Sequence, residues 1–88
     1  MGCKIYAPHF ILFKLPSSAN SARLGITASS KVGNAVQRNR IKRLIREYFR
    51  KNIFSLDKLD YSVIVRRGVS QVSSKIIFDE LHHIFTKK

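Results

Sequence analysis

One cysteine, two prolines, four glycines, no tryptophan and five acidic residues among 88 leave little room for several classes of protein. With Cys3 alone, neither an internal disulfide nor a cysteine-rich zinc site can form, in keeping with a reducing compartment. The longest uninterrupted apolar run is Phe10-Ile11-Leu12-Phe13, far short of a membrane span or a secretory-signal core, so the chain reads as cytosolic. Met1-Gly2-Cys3 is a start that could be acylated, but the myristoylation pattern asks for Ser or Thr where Tyr6 stands. The acids are scattered as Glu47, Asp57, Asp60 and Asp79-Glu80, whereas a nuclease carrying its own Mg²⁺ pair needs carboxylates gathered together. His9, His82 and His83 have no metal-ligand spacing, because adjacent residues on a helix point about 100° apart. They read as polar or half-buried side chains without chemistry.

What the chain has in excess is positive charge: 17 Lys and Arg against those five acids, a formal net charge of +12. Such a chain gains affinity for a polyanion by releasing condensed counterions, whereas a membrane surface would demand an amphipathic or lipidated anchor as well. Nucleic acid is the expected partner. At 44% hydrophobic and 25% charged residues there is enough apolar material for a packed core. No repeat, low-complexity segment or composition break divides the chain, so residues 1–88 are expected to form one small domain. Folding then buries only about 60–65% of the surface the unfolded chain exposes, and stability should be modest.

Strands come first, then a helix, a strand and a final helix. His9 to Leu15 is aromatic and branched and stops at Pro16, which predicts a strand. Ser17 to Ser21 reads as a loop, and Ala22 to Ser29 resumes period-two alternation, which predicts a hairpin with the first strand. Ile5-Tyr6-Ala7 offers a short edge piece. Gly33 breaks the chain and Asn34 can cap a helix running to about Lys51. In that helix Ile41, Leu44, Ile45, Tyr48 and Phe49 recur at the spacing of one face and should point into the core. Between Asn52 and Asp60, the residues Ile53, Phe54, Leu56 and Leu59 are expected to tuck against the domain. Tyr61 to Arg67, closed by Gly68, reads as an interior strand. Ser73 or Ser74 can cap a last helix carrying Ile77, Phe78, Leu81, Ile84 and Phe85, with Lys87-Lys88 suited to its end. The fold class is α+β: one small mixed sheet of three to four strands packed with two helices.

Chemistry concentrates in Val36 to Glu47. From Arg38 to Lys51 the helix carries Arg38, Arg40, Lys42, Arg43, Arg46, Arg50 and Lys51 against one acid, Glu47. At about 100° per residue, Asn39, Arg43, Arg46 and Arg50 fall opposite the apolar face, with Arg40 and Lys42 on its flanks. A merely solvated helix gains from several i±4 ion pairs, and here only Glu47 can make one, with Arg43 or Lys51. Arginine presents a planar fork that matches two phosphate oxygens, and Asn39 can bond a phosphate, a base edge or a 2′-hydroxyl. The outward face is built for binding.

The run Ser30-Lys31-Val32-Gly33-Asn34-Ala35-Val36-Gln37-Arg38-Asn39-Arg40-Ile41-Lys42-Arg43-Leu44-Ile45-Arg46-Glu47 resembles the Arg-Asn-Arg segment of the bacterial ribonuclease P protein family, with its Gly-Asn-Ala-Val lead-in. Asp60 to Gly68 resembles that family's last strand, and Pro8 to Phe13 its first. The resemblance implies the small basic protein subunit of ribonuclease P, one per catalytic RNA, assisting 5′ maturation of tRNA. Arg38, Asn39, Arg40, Lys42, Arg43 and Arg46 inherit by position the docking of the RNA subunit. Phe13 falls where the family places an aromatic against the single-stranded 5′ leader of precursor tRNA; strand alternation alone equally allows it a place in the core. Lys31, Arg66 and Arg67 are expected phosphate contacts near the rim of the leader cleft. The resemblance also implies that the chemistry and the Mg²⁺ belong to the RNA, with none bound by the protein alone. It further implies a left-handed strand-helix-strand crossover, against the general right-handed preference.

Two features depart from that pattern. The family's N-terminal helix is expected to be missing here, because this chain starts almost at the first strand, which implies either a start placed too late or a weaker hold on the leader, and Ser30 stands where a lysine is common. The competing class is a basic DNA-binding or ribosome-associated protein using the same helix. A leucine zipper would need heptads after Arg50, which are absent.

Overall fold

Alternation decides the sheet. The computed structural model describes residues 2–16, 21–69 and 72–86, in the order β1 (Cys3–Tyr6), β2 (Phe10–Pro16), β3 (Arg23–Thr27), α1 (Ala35–Asn52), a 3₁₀ turn (Ile53–Ser55), β4 (Leu59–Val65) and α2 (Ser74–Thr86). Phe10 and Leu12 of β2, with Tyr61, Val63 and Val65 of β4, are buried, and the residues between them face the other side. The strands form one four-stranded sheet in the order β1-β2-β4-β3. The short edge strand and the interior position of β4 are as the sequence predicts.

The expected hairpin between β2 and β3 does not form. β4 inserts between them, antiparallel to β2 from Phe10↔Val65 to Pro16↔Leu59 and parallel to β3 from Arg23↔Asp60 to Thr27↔Ile64. The reason lies in composition: β4 is apolar enough to take neighbours on both edges, whereas β3 exposes Arg23, Gly25 and Thr27 and suits an edge. A parallel neighbour needs a crossover connection, and α1 supplies it. Residues 17–20 of the intervening loop lie outside the described residues.

Both helices contribute to the hydrophobic cluster on one face of the sheet. Ile41, Leu44, Ile45, Tyr48 and Phe49 of α1 are all buried, as their spacing predicts, together with Ile77, Leu81, Ile84 and Phe85 of α2. Phe85 knots the layers, its ring centroid 5.4 Å from Tyr61, 5.5 Å from Tyr48 and 6.3 Å from Phe49. Deleting such a ring costs about 3–5 kcal/mol.

The start of α1 is fixed by a reciprocal capping box. The Gln37 amide donates to Asn34 Oδ1 at 2.9 Å, and the Asn34 amide donates to Gln37 Oε1 at 3.0 Å, satisfying two donors that the helix leaves unpaired. Gly33 cannot be replaced cheaply, because φ +157° strains any side chain and a Cβ there would displace the Gln37 Oε1 that accepts from the Asn34 amide. At α2, Ser73 is the cap: its Oγ accepts from the Ile76 amide at 3.4 Å and its carbonyl from Ile77 at 3.1 Å. Lys87 and Lys88 fall outside the described residues.

Phe54 departs from expectation. Ile53, Leu56 and Leu59 pack on the core, but Phe54 is fully exposed. In a 3₁₀ turn, positions i and i+3 share a face, so seating Ile53 and Leu56 turns Phe54 to solvent.

Candidate nucleic-acid interface

With its apolar residues seated in the core, α1 presents Asn39, Arg43, Arg46, Arg50 and Lys51 as exposed side chains, while Arg38, Arg40 and Lys42 are half-buried at the flanks. Ion pairs form between His9 and Glu80 and between Arg23 and Asp60, and α1 contributes to neither. Glu47 pairs with neither Arg43 nor Lys51 in this structure. The cations of α1 therefore repel one another without compensation, an arrangement that a bound polyanion relieves.

The six docking candidates are not equivalent. Arg43 and Arg46 project from the helix with no hydrogen-bond partner among the described residues. Arg40 is partly engaged: its Nη2 donates to Ser74 Oγ at 3.1 Å and joins α1 to the first residue of α2. Arg38 has its Nε buried without a hydrogen-bond partner. Val36, Asn39, Arg40 and Arg43 line one shallow depression on the first turns of the helix, where Val36 is an exposed apolar side chain.

The sheet has a second face, away from the helices. Parity places Ile11, Phe13 and Leu15 of β2 there, with Lys4 and Tyr6 of β1, Ser62 and Ile64 of β4, and Arg23, Gly25 and Thr27 of β3. Phe13 is thus not in the helix-packed core. It is half-buried on the open face, opposite Lys4, whose Nζ lies 5.2 Å from the Phe13 ring centroid. Asp60 on this face is gripped by Arg23, with Nε–Oδ1 at 2.7 Å and Nη2–Oδ2 at 2.8 Å. That hydrogen bond first, and the Asp60 charge second, raise the Arg23 guanidinium above its ordinary value.

Lys31, Arg66 and Arg67 are exposed. Because β3 and β4 run parallel, the segments that follow them emerge at one end of the sheet, so topology brings these three cations to the end where α1 begins. Phe13 sits further along β2 on the open face. The Arg66 amide donates to the His9 carbonyl at 2.8 Å, and Gly68 makes the turn beyond it in the left-handed region at φ +88°.

His9 is half-buried, as the sequence suggests, but its contact with Glu80 is not legible there. The His9 amide donates to Glu80 Oε1 at 2.9 Å and its Nδ1 lies 2.6 Å from Oε2, so one carboxylate of α2 holds both backbone and ring at the start of β2. Seventy-one residues separate the partners, and no local pattern signals the contact. His82 Nδ1 lies 3.2 Å from the Tyr48 hydroxyl. Burial raises the Tyr48 phenol above its ordinary value; for Tyr61 burial again comes first, with the Asp57 charge second. Tyr6 was legible only as part of an edge strand; its place diagonal to Phe13 follows from the register of β1 on β2.

Among the described residues, no three of His, Cys, Asp and Glu are grouped to hold a metal ion, and no helix is long and apolar enough to cross a membrane.

Comparison with known proteins gives this geometry its context. The family model described as Ribonuclease P matches residues 1–88. The chain is 42% identical over 80 residues to the ribonuclease P protein component of Desulforapulum autotrophicum, covering 90% of this chain and 68% of that protein. It is 39% identical over 87 residues to that of Desulfatibacillum aliphaticivorans, covering 98% and 74%. Among solved structures, the RNase P protein of Staphylococcus aureus superposes with a TM-score of 0.90 at 33% identity, covering 94% of this chain and 77% of that one. The Thermotoga maritima RNase P protein, in complex with 1-(4-fluorophenyl)-2-thiourea, gives 0.90 at 27% identity, covering 99% and 86%. Its four-stranded mixed sheet, its two helices and its sequence along the whole length make this chain a member of the ribonuclease P protein family.

Proposed function

We propose that the chain is the RNA-binding protein subunit of a ribonuclease P holoenzyme, docking on the catalytic RNA through the outward face of α1 and holding the 5′ leader of precursor tRNA on the open face of the sheet. The observation that carries this reading is the division of α1: five apolar side chains are buried on one side, and the cations on the other have no carboxylate partner among the described residues. Arg38, Asn39, Arg40, Lys42, Arg43 and Arg46 are the docking residues. Phe13 offers an aromatic surface on which an unpaired base stacks without being read, and Lys31, Arg66 and Arg67 supply phosphate contacts at the end of the sheet.

In this reading the protein is non-catalytic and the catalytic Mg²⁺ would be held by the RNA subunit. The polypeptide positions. Its cations offset phosphate crowding where two RNAs meet, and the ordering of leader and RNA on one scaffold removes entropy that the cleavage step would otherwise have to overcome. The core sheet separates the two binding surfaces, which lets one small protein touch enzyme RNA and substrate at once.

The test is reconstitution. Added to its cognate ribonuclease P RNA at limiting Mg²⁺, the chain should raise the rate of 5′ cleavage of precursor tRNA and bind that RNA in preference to duplex DNA at moderate salt. A ribozyme that gains nothing, or equal affinity for duplex DNA, would favour a general basic nucleic-acid-binding role instead.

A further inference from the structure

Resting on the leader-binding reading above, we propose that Tyr6 and Lys4 of the edge strand β1 are part of the leader site, Tyr6 as a second stacking ring beside Phe13 and Lys4 as the contact for the phosphate between the two stacked bases. Three observations carry this. Tyr6 is 56% exposed although it is a large aromatic on a sheet face. Register sets Lys4 directly opposite Phe13 and Tyr6 opposite Ile11, so Tyr6 and Phe13 are diagonal neighbours on the open face. Lys4 Nζ stands between the two rings, 5.0 Å from the Tyr6 centroid and 5.2 Å from that of Phe13.

The spacing selects the ligand. Diagonal residues across an antiparallel pair lie roughly 7–8 Å apart, about twice the 3.4 Å step between stacked nucleotides in one strand of a duplex. Two successive bases can therefore occupy both rings only by unstacking from each other, which an unpaired leader does and a duplex does not. An ammonium between the rings meets the backbone that joins those bases. Charge agrees: the carboxylate on this face among the described strand residues, Asp60, is gripped by Arg23, and the end of the sheet is lined by Lys31, Arg66 and Arg67. A polyanion with apolar faces fits this surface, and an acidic peptide without stacking rings would leave Tyr6 and Phe13 unused.

The experiment uses the chain reconstituted with its ribonuclease P RNA and two precursor tRNAs, one with a long single-stranded leader and one with a leader too short to reach the sheet. Tyr6→Ala should weaken binding of the long-leader precursor about 5- to 150-fold, the range that the loss of one base–aromatic stack covers. It should leave the short-leader precursor and assembly with the RNA unchanged, and Tyr6→Phe should restore the loss. Lys4→Gln should lower the slope of affinity against salt by about 0.7 for the long-leader precursor. If Tyr6→Ala behaves as wild type while Phe13→Ala weakens binding, the inference fails and the leader-binding reading stands. If both are inert, that reading falls too. Self-association that Tyr6→Ala abolishes would assign this face to a second copy of the chain and overturn the proposal.

Discussion

Replacing Glu80 with Ala removes the carboxylate that holds His9 at both its amide and its ring. Side-chain exposure is 22% for His9 and 11% for Glu80, so water recovers little of what is lost. A hydrogen bond to a charged group is worth about 1.5–3 kcal/mol, and a buried donor left unsatisfied costs about 1–3 kcal/mol. Allowing for relaxation, Glu80→Ala should destabilise the chain by about 2–4 kcal/mol. Against a total of about 4–13 kcal/mol for a domain of this length, that is a large fraction. It corresponds to a fall in melting temperature of roughly 10–30 °C. Glu80→Gln keeps a carbonyl to accept from the His9 amide and should cost less. Urea unfolding followed by circular dichroism measures both. Because the His9 carbonyl accepts from the Arg66 amide, hydrogen exchange at Arg66 should also accelerate in Glu80→Ala. A Glu80→Ala variant within about 0.5 kcal/mol of wild type, the range of a bland surface change, would mean that Glu80 does not anchor His9.

Phe54→Ser should change unfolding free energy by less than about 0.5 kcal/mol, since the ring lies in solvent; a larger loss in urea titration would mean that it packs. Tyr48 and Tyr61 hold their protons above the ordinary value of 10.0. The folded chain thus retains protons that the unfolded chain releases, and this contribution is intact below pH 10.0 and lost as pH rises through the folded values. Unfolding curves from about pH 9 to about pH 11 should show stability declining more gently in Tyr61→Phe, and identical slopes would contradict the burial argument. Sulfate should raise the melting temperature of the free chain by occupying the cationic face, and a variant carrying both Arg43→Ala and Arg46→Ala should gain less from it. Equal gains would place the anion elsewhere.

Local signals carried the helices. Gly33-Asn34 and the spacing of Ile41, Leu44, Ile45, Tyr48 and Phe49 specify where α1 starts and which way it faces, because capping and helical period depend only on neighbours in sequence. The outward cations follow from the same geometry. Strand order did not follow from local pattern. Alternation in residues 22–29 establishes a strand but not its partner, and β4, nearly forty residues later in the chain, competes for the edge of β2 and takes it. Composition does not reveal the 3₁₀ turn at Ile53–Ser55, whose period seats Ile53 and Leu56 and turns Phe54 outward. The His9–Glu80 contact was invisible because both partners are ordinary polar residues until β2 and α2 pack. On the open face, Phe13 was found by resemblance, whereas Tyr6 and Lys4 needed the register of β1.

The outward arginines of α1 are proposed to meet RNA phosphates. Arg43 and Arg46 isolate that contact better than Arg40, whose bond to Ser74 would mix binding with folding. Affinity for the ribonuclease P RNA should be measured across a salt series for wild type and for the chain carrying Arg43→Ala and Arg46→Ala. Binding should weaken, with a logarithmic salt slope shallower by about 0.7–0.9 for each lost phosphate contact, and the melting temperature should not fall, since the variant loses two mutually repelling cations. The same affinity and the same slope in both proteins would contradict that contact.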